Sequence, residues 1–214
     1  MNKVIKTSGW ILFGFLSIGV SLYPLYYWLA DGIVGLLNSK SAELLSDTIW
    51  NLGFYGHITF GGIALAVGWL QFSKRLRQRN IKLHRNLGLV YLIGVLIGGT
   101  CGIYIGFHAT GGLITATGFI LLGMIWLSST ISAYGAIIKN NILLHRNMMI
   151  ISYAACFAAV TLRLWLPFLT ITLGGFDAAY KIVAWLCWVP NMFVAFLIIR
   201  RNQASIRRNN LVIT

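Results

Sequence analysis

Residues 113–138 read LITATGFILLGMIWLSSTISAYGAII, a run without a charged side chain. A helix rises about 1.5 Å per residue and the hydrocarbon core of a bilayer is about 30 Å thick, so roughly 20 apolar residues cross it once. Inside lipid every backbone amide must be satisfied within the segment, and the run lacks the period-two alternation of a barrel strand, so it has to be a helix. Outward from it lie comparable runs at about 10–30, 52–72, 87–107, 148–170 and 182–199, set apart by charged segments except at 108–112, where His-Ala-Thr-Gly-Gly separates two runs. The chain therefore reads as an all-α integral membrane protein. Its single membrane domain, 1–214, has six transmembrane helices: a four-helix core of helices 2–5 flanked by helices 1 and 6. The first run follows Lys3 and Lys6 as a secretory signal would, but it is too long for one and carries no small-x-small cleavage site; it reads as a retained helix.

Composition agrees. Of 214 residues, 58% are hydrophobic and 10% charged, with a mean hydropathy of +0.79, which removes the charged surface a soluble domain needs. The net charge of +13 is no nucleic-acid signal, because the bases sit between apolar runs rather than on a folded, water-facing patch. Cys101, Cys156 and Cys187 fall inside the runs without metal or disulfide spacing and read as small buried hydrophobes.

The bases also orient the chain. Lys3 and Lys6 precede helix 1, Lys74 to Arg85 join helices 2 and 3, Lys139 and Arg146 join helices 4 and 5, and Arg200 to Arg208 follow helix 6. The acids Asp31, Glu43, Asp47 and Asp177 occupy the opposite loops, with only Lys40 and Lys181 for bases. Basic loops stay in the cytoplasm, so both termini are expected there. The bilayer is the expected partner, with anionic lipid against residues 73–85.

Arg163 lies well inside helix 5, where a charged side chain facing lipid costs at least about 2.5 to 3.5 kcal/mol near the bilayer centre. It needs a partner, which an outer carboxylate, helix-end carbonyls or an anionic ligand would supply; outward snorkelling of the long side chain is the structural alternative. At 100° per residue His145, Cys156 and Arg163 share one stripe of a continuous helix. Four histidines occur, and by depth His84 pairs with His145 at one end of the bundle and His57 with His108 toward the other. Facing imidazoles at one depth are what b-type haem ligation requires; helix-end anchoring explains the same positions. Gln71, Tyr91 and Tyr153 form a polar group near the His84 and His145 layer. Gly94, Gly98, Gly102 and Gly106 make a small-residue ridge on helix 3 that lets a neighbour approach closely. Slid by 61 residues, Leu83-His84-Arg85-Asn86 falls on Leu144-His145-Arg146-Asn147, relating the hairpin of helices 2 and 3 to that of helices 4 and 5. No span holds a carboxylate, which disfavours ion-coupled transport, and no GxxxxGK[ST], HExxH or GxSxG occurs.

These residues resemble a known pattern. His57, Gln71-Phe72, Arg77, His84-Arg85 with Gly88 and Tyr91, Trp126, His145-Arg146 with Met149 and Tyr153, and Ala158 to Arg163 resemble the bacterial membrane-protein family named domain of unknown function 2306. The sequence departs from that pattern at Met148, where Trp is expected, and Ile151, where Arg is expected. The resemblance implies a bacterial plasma-membrane protein, singles out His57, His84, His145 and Arg163, and carries no activity with it. A looser architectural similarity is to ascorbate-reducible dihaem cytochromes b. Three functions stand open: haem b or quinone-linked electron transfer through helix-end histidines, a small-molecule or lipid transporter lined by His57 and Arg163, and a non-catalytic assembly partner.

Overall fold

The structure, a computed structural model, describes residues 3–213. It holds eleven α-helices: α1 (Lys3–Ser21), α2 (Pro24–Leu29), α3 (Ala42–Ser46), α4 (Thr48–Gly68), α5 (Lys74–Arg79), α6 (Ile81–Gly106), α7 (Leu113–Ile138), α8 (Ile142–Cys156), α9 (Ala158–Leu173), α10 (Phe176–Leu186) and α11 (Val189–Ile213). They form six helical stretches long and apolar enough to cross a membrane: Thr7–Leu29, Thr48–Phe72, Ile81–Gly106, Leu113–Ile138, Ile142–Leu173 and Phe176–Ser205. The all-helical, six-span fold read from the sequence is what the chain adopts, with no strand among the described residues.

Side chains start the helices where the chain re-enters the apolar layer. Asp47 Oδ1 accepts the amide of Ile49 at 2.8 Å to cap α4, Asn80 Oδ1 that of Leu83 at 2.9 Å to cap α6, and Asn141 Oδ1 that of Leu144 at 3.0 Å to cap α8. Each supplies an acceptor to a first-turn amide that has no partner inside its own helix. The caps of α6 and α8 lengthen the repeat, since Asn80–Asn86 reads NIKLHRN and Asn141–Asn147 reads NILLHRN.

Spans one, five and six are broken, and each break has a cause. Pro24 has no amide to offer the carbonyl of Val20, so Tyr23 N takes it at 3.1 Å and the chain turns between α1 and α2. That turn is seated on α4 at Gly62, where a Cβ would lie 2.9 Å from Ser21 O. Pro190 likewise interrupts span six after Cys187. Span five breaks at Phe157 without glycine or proline. Asn191 serves both of the latter breaks: its Nδ2 donates to Ala154 O at 3.3 Å on span five and to Cys187 O at 3.0 Å on span six, while Thr161 Oγ1 also donates to Cys187 O. Carbonyls released by a helix break in lipid have to be satisfied by a neighbour, and here one amide does so for two helices.

The glycine ridge sets α6 against α4. A Cβ at Gly98 would lie 2.9 Å from Gly61 N and one at Gly94 would lie 3.0 Å from Phe60 O, so these backbones touch. Above this contact the main core gathers Leu65, Tyr91, Val95, Trp126, Tyr153 and Val160, all buried.

Candidate functional site

A cavity of about 630 Å³ opens inside the bundle on the side of the acidic loops. The three breaks frame it: Tyr23 and Pro24 from the first, Cys156, Ala158 and Ala159 from the second, Cys187 from the third. Gly61, Gly99, Gly102, Gly106 and Gly123 make one wall nearly featureless, and Trp50, Phe54, Phe119, Trp126, Phe176 and Tyr180 supply aromatic surface. The turn Gly35–Ser39 and Lys40 close the loop side. Tyr27 OH accepts the amide of Leu36 at 3.1 Å, and Gly35, at φ 56°, lies where a Cβ would come within 2.7 Å of that hydroxyl. Lys40 Nζ donates to His108 O at 2.6 Å and Thr110 Oγ1 at 3.1 Å, so the cover is latched to the turn after α6. Burial lowers the Lys40 ammonium below its ordinary pKa.

Two sequence-selected residues face this space. Arg163, on α9, is half-buried; its Nη1 donates to Ala159 O at 2.8 Å and its guanidinium lies 4.2 Å from the centroid of the Tyr23 ring. Its Nε is buried and meets no acceptor. None of the four acids lines the cavity, so the charge is held by one carbonyl and a ring face, the latter worth about 0.5 to 2 kcal/mol. His57, on α4, places Nδ1 2.8 Å from Gly98 O. A carbonyl only accepts, so Nδ1 carries the proton in that bond, and Nε2 is left as the acceptor of the neutral ring. Gly102 gives the ring its place: a Cβ there would lie 2.6 Å from Nδ1.

The other histidines lie elsewhere. His84 and His145 stand at the starts of α6 and α8, within electrostatic reach of each other and of Arg77 and Arg85. His145 Nδ1 donates to Ala133 O at 2.9 Å, while His84 Nδ1 is enclosed without a partner. Neither lines the cavity, nor does His108, whose ring packs edge-on against Tyr104. The cavity thus presents one imidazole rather than the facing pair that bis-histidine haem ligation requires. No group of three or more metal-ligating side chains occurs among the described residues. The expected stripe is kept only in part: Cys156 and Arg163, on either side of the break at Phe157, both line the cavity, whereas His145, eleven residues before Cys156 on α8, lies outside it.

The expected polar group of Gln71, Tyr91 and Tyr153 resolves into separate parts. Trp126 Nε1 donates to Tyr91 OH at 3.2 Å; Tyr91 OH and Ser152 Oγ are 2.7 Å apart, Ser152 Oγ and Thr130 Oγ1 2.6 Å, and Thr130 Oγ1 donates to Trp126 O at 2.7 Å. With one proton per hydroxyl the bonds run in one direction and return to the residue on which they start; of these four residues, Trp126 lines the cavity. Tyr153 OH donates instead to Leu65 O at 3.1 Å and meets Ser17 Oγ at 3.0 Å. Gln71 is buried with its Nε2 unpartnered. Sequence reasoning passed over Tyr23, Tyr27, Lys40 and Asn191 as site residues; the residue before Pro24, and one of only two bases among the acidic loops, were the signals available for Tyr23 and Lys40.

Six apolar crossings enclosing a cavity define a multi-pass membrane protein. A family model described as a predicted membrane protein, DUF2306, matches residues 54–199, and the chain belongs to that family. No curated protein and no solved structure matches it.

Proposed function

We propose that this protein binds an amphipathic organic anion inside the membrane and serves as a carrier for it. The observation that carries this reading is Arg163, a guanidinium inside a span with no carboxylate within the cavity it faces. A cation inside a span is ordinarily matched by a counter-charge; an anionic head group supplies the missing charge, while the glycine and aromatic walls take an apolar body. The breaks framing the cavity follow the same logic, since non-helical backbone at membrane depth belongs where it lines a binding space.

The cavity then faces outward in a bacterial plasma membrane, because the opposite face carries the Lys74–Arg85, Lys139–Arg146 and Arg200–Arg208 bases that belong with cytoplasmic termini. The short basic helix α5, rich in Lys and Arg on that face, suits contact with anionic lipid headgroups. The redox reading places haem or quinone chemistry at His84 and His145 and draws its support from their shared end of the bundle.

The test is a thermal-stability titration in nanodiscs with decanoate, decanol and decyltrimethylammonium. Decanoate raises the melting temperature of the wild type and does so far less for Arg163→Ala, with the other two probes indifferent to the substitution. Equal shifts from decanoate and the cationic amphiphile overturn the proposal.

A further inference from the structure

His57 and Arg163 enter the cavity from different hairpins, yet the carbonyls that hold them are related, His57 reaching across to α6 and Arg163 back along its own helix. His57 Nδ1 donates to Gly98 O and Arg163 Nη1 to Ala159 O, and those two carbonyls are related by the offset of 61 residues that aligns the repeats and separates Tyr91 from Ser152. Equivalent carbonyls on the two hairpins therefore hold chemically opposite groups. Arg163 has only donors. The neutral His57 ring, its Nδ1 proton committed to Gly98 O and its position fixed by Gly102, presents Nε2 as an acceptor, and no protein group occupies that nitrogen. A ligand with an anionic group alone satisfies one side and leaves the imidazole acceptor dry. A buried polar atom left without its hydrogen bond is penalised, which is how a site comes to discriminate between ligands differing by one hydroxyl.

We infer that the cavity is selective for a hydroxylated amphipathic acid, with the carboxylate on Arg163 and the hydroxyl donating to His57 Nε2. This rests on the anion-binding reading and adds to it the second polar group of the ligand. Selection comes from the imidazole, so affinity for the plain acid belongs to Arg163 and the preference for the hydroxyl to His57.

The experiment is a tryptophan-fluorescence titration of the full chain in nanodiscs with decanoate, with 2-, 3- and 10-hydroxydecanoate, and with the matching methoxy acids, which accept but cannot donate. At least one hydroxy acid binds between about threefold and tenfold more tightly than decanoate, and its methoxy counterpart loses that gain. His57→Leu brings hydroxy acid and decanoate to the same affinity while decanoate still binds. The ligand series in the wild type carries the test even if His57→Leu fails to fold. Decanoate binding with no hydroxy acid preferred overturns this inference and leaves the anion reading standing; no binding by any acid overturns both.

Discussion

Tyr91 and Ser152 stand 61 residues apart in sequence and hydrogen-bond to each other at 2.7 Å. The offset is that of the NIKLHRN and NILLHRN repeat, so they are equivalent positions on α6 and α8, which cross the membrane in the same direction. Equivalent residues can touch only near the axis relating their helices. His84 and His145, equivalent by the same offset, are also within electrostatic reach. The Tyr91–Ser152 contact is what an approximate two-fold axis between the hairpins α4–α6 and α7–α8 would produce, as in membrane proteins built from parallel repeats.

Breaking the hydroxyl ring at the axis should cost stability without touching the cavity walls. Ser152→Ala removes the group that accepts from Tyr91 and donates to Thr130, leaving buried polar atoms unpartnered at about 1 to 3 kcal/mol. A fluorescence-monitored melt should show a lower melting temperature; an unchanged one would mean the ring is not formed as described.

Glycine substitutions should separate sharply by what surrounds them. Gly98→Ala drives a methyl to within 2.9 Å of the Gly61 backbone and forces α6 away from α4, an overpacking worth about 1 to 3 kcal/mol. Gly135→Ala, inside α7 with nothing within 4 Å, should be neutral or slightly stabilising through helix propensity. Comparable losses for both, by thermal melt of the two variants, would contradict the close backbone approach.

Asn191→Leu should loosen two helices together. It withdraws the donor from Ala154 O and Cys187 O, so amide exchange should rise around residues 154–161 and 187–195 while α6 is unaffected. Exchange that rises on one span alone would show that the two breaks are not coupled through this side chain.

The latch over the cavity should depend on pH through Lys40. Its folded-state pKa lies below the ordinary value of 10.5 because burial disfavours the ammonium. The unfolded chain therefore holds more protons in that window, and stability rises with pH from the folded-state pKa up to about 10.5. Melts of the wild type and Lys40→Met should converge or diverge accordingly: the slope belongs to the wild type and is flattened in the variant. Parallel pH profiles would remove Lys40 from the account.

A visible absorption spectrum before and after dithionite addresses the haem reading. The cavity presents a single imidazole, so protein expressed with ample haem should give no reduced α-band that depends on His57. A band abolished by both His84→Ala and His145→Ala would instead establish a ligand pair at the other end of the bundle.

How far the sequence discloses this molecule varies with the kind of force involved. The spans are legible because lipid allows one backbone solution, and the repeat is legible because its motif sits at two helix starts. Arg163 stands out for the same reason that a charge in lipid always does. The break at Phe157 is silent, for the segment Ala154-Ala155-Cys156-Phe157-Ala158 has neither glycine nor proline, and the side chain that meets its carbonyl, Asn191, lies 34 residues beyond Phe157. Without that break the cavity cannot be foreseen, nor can one tell that His57 faces it and that His84 and His145 do not. Depth alone placed the histidines in pairs; side-chain direction separates them.

The anchoring of His57 and Arg163 on matching carbonyls has one more consequence. Two identical hairpins closing on each other would give their guest two identical walls, and such a chamber cannot tell head from tail. Joining both hairpins in one polypeptide frees each to vary alone. Here one wall gives and the other receives, so on the proposed anion-binding reading a molecule with two unlike ends would lie in the chamber only one way round.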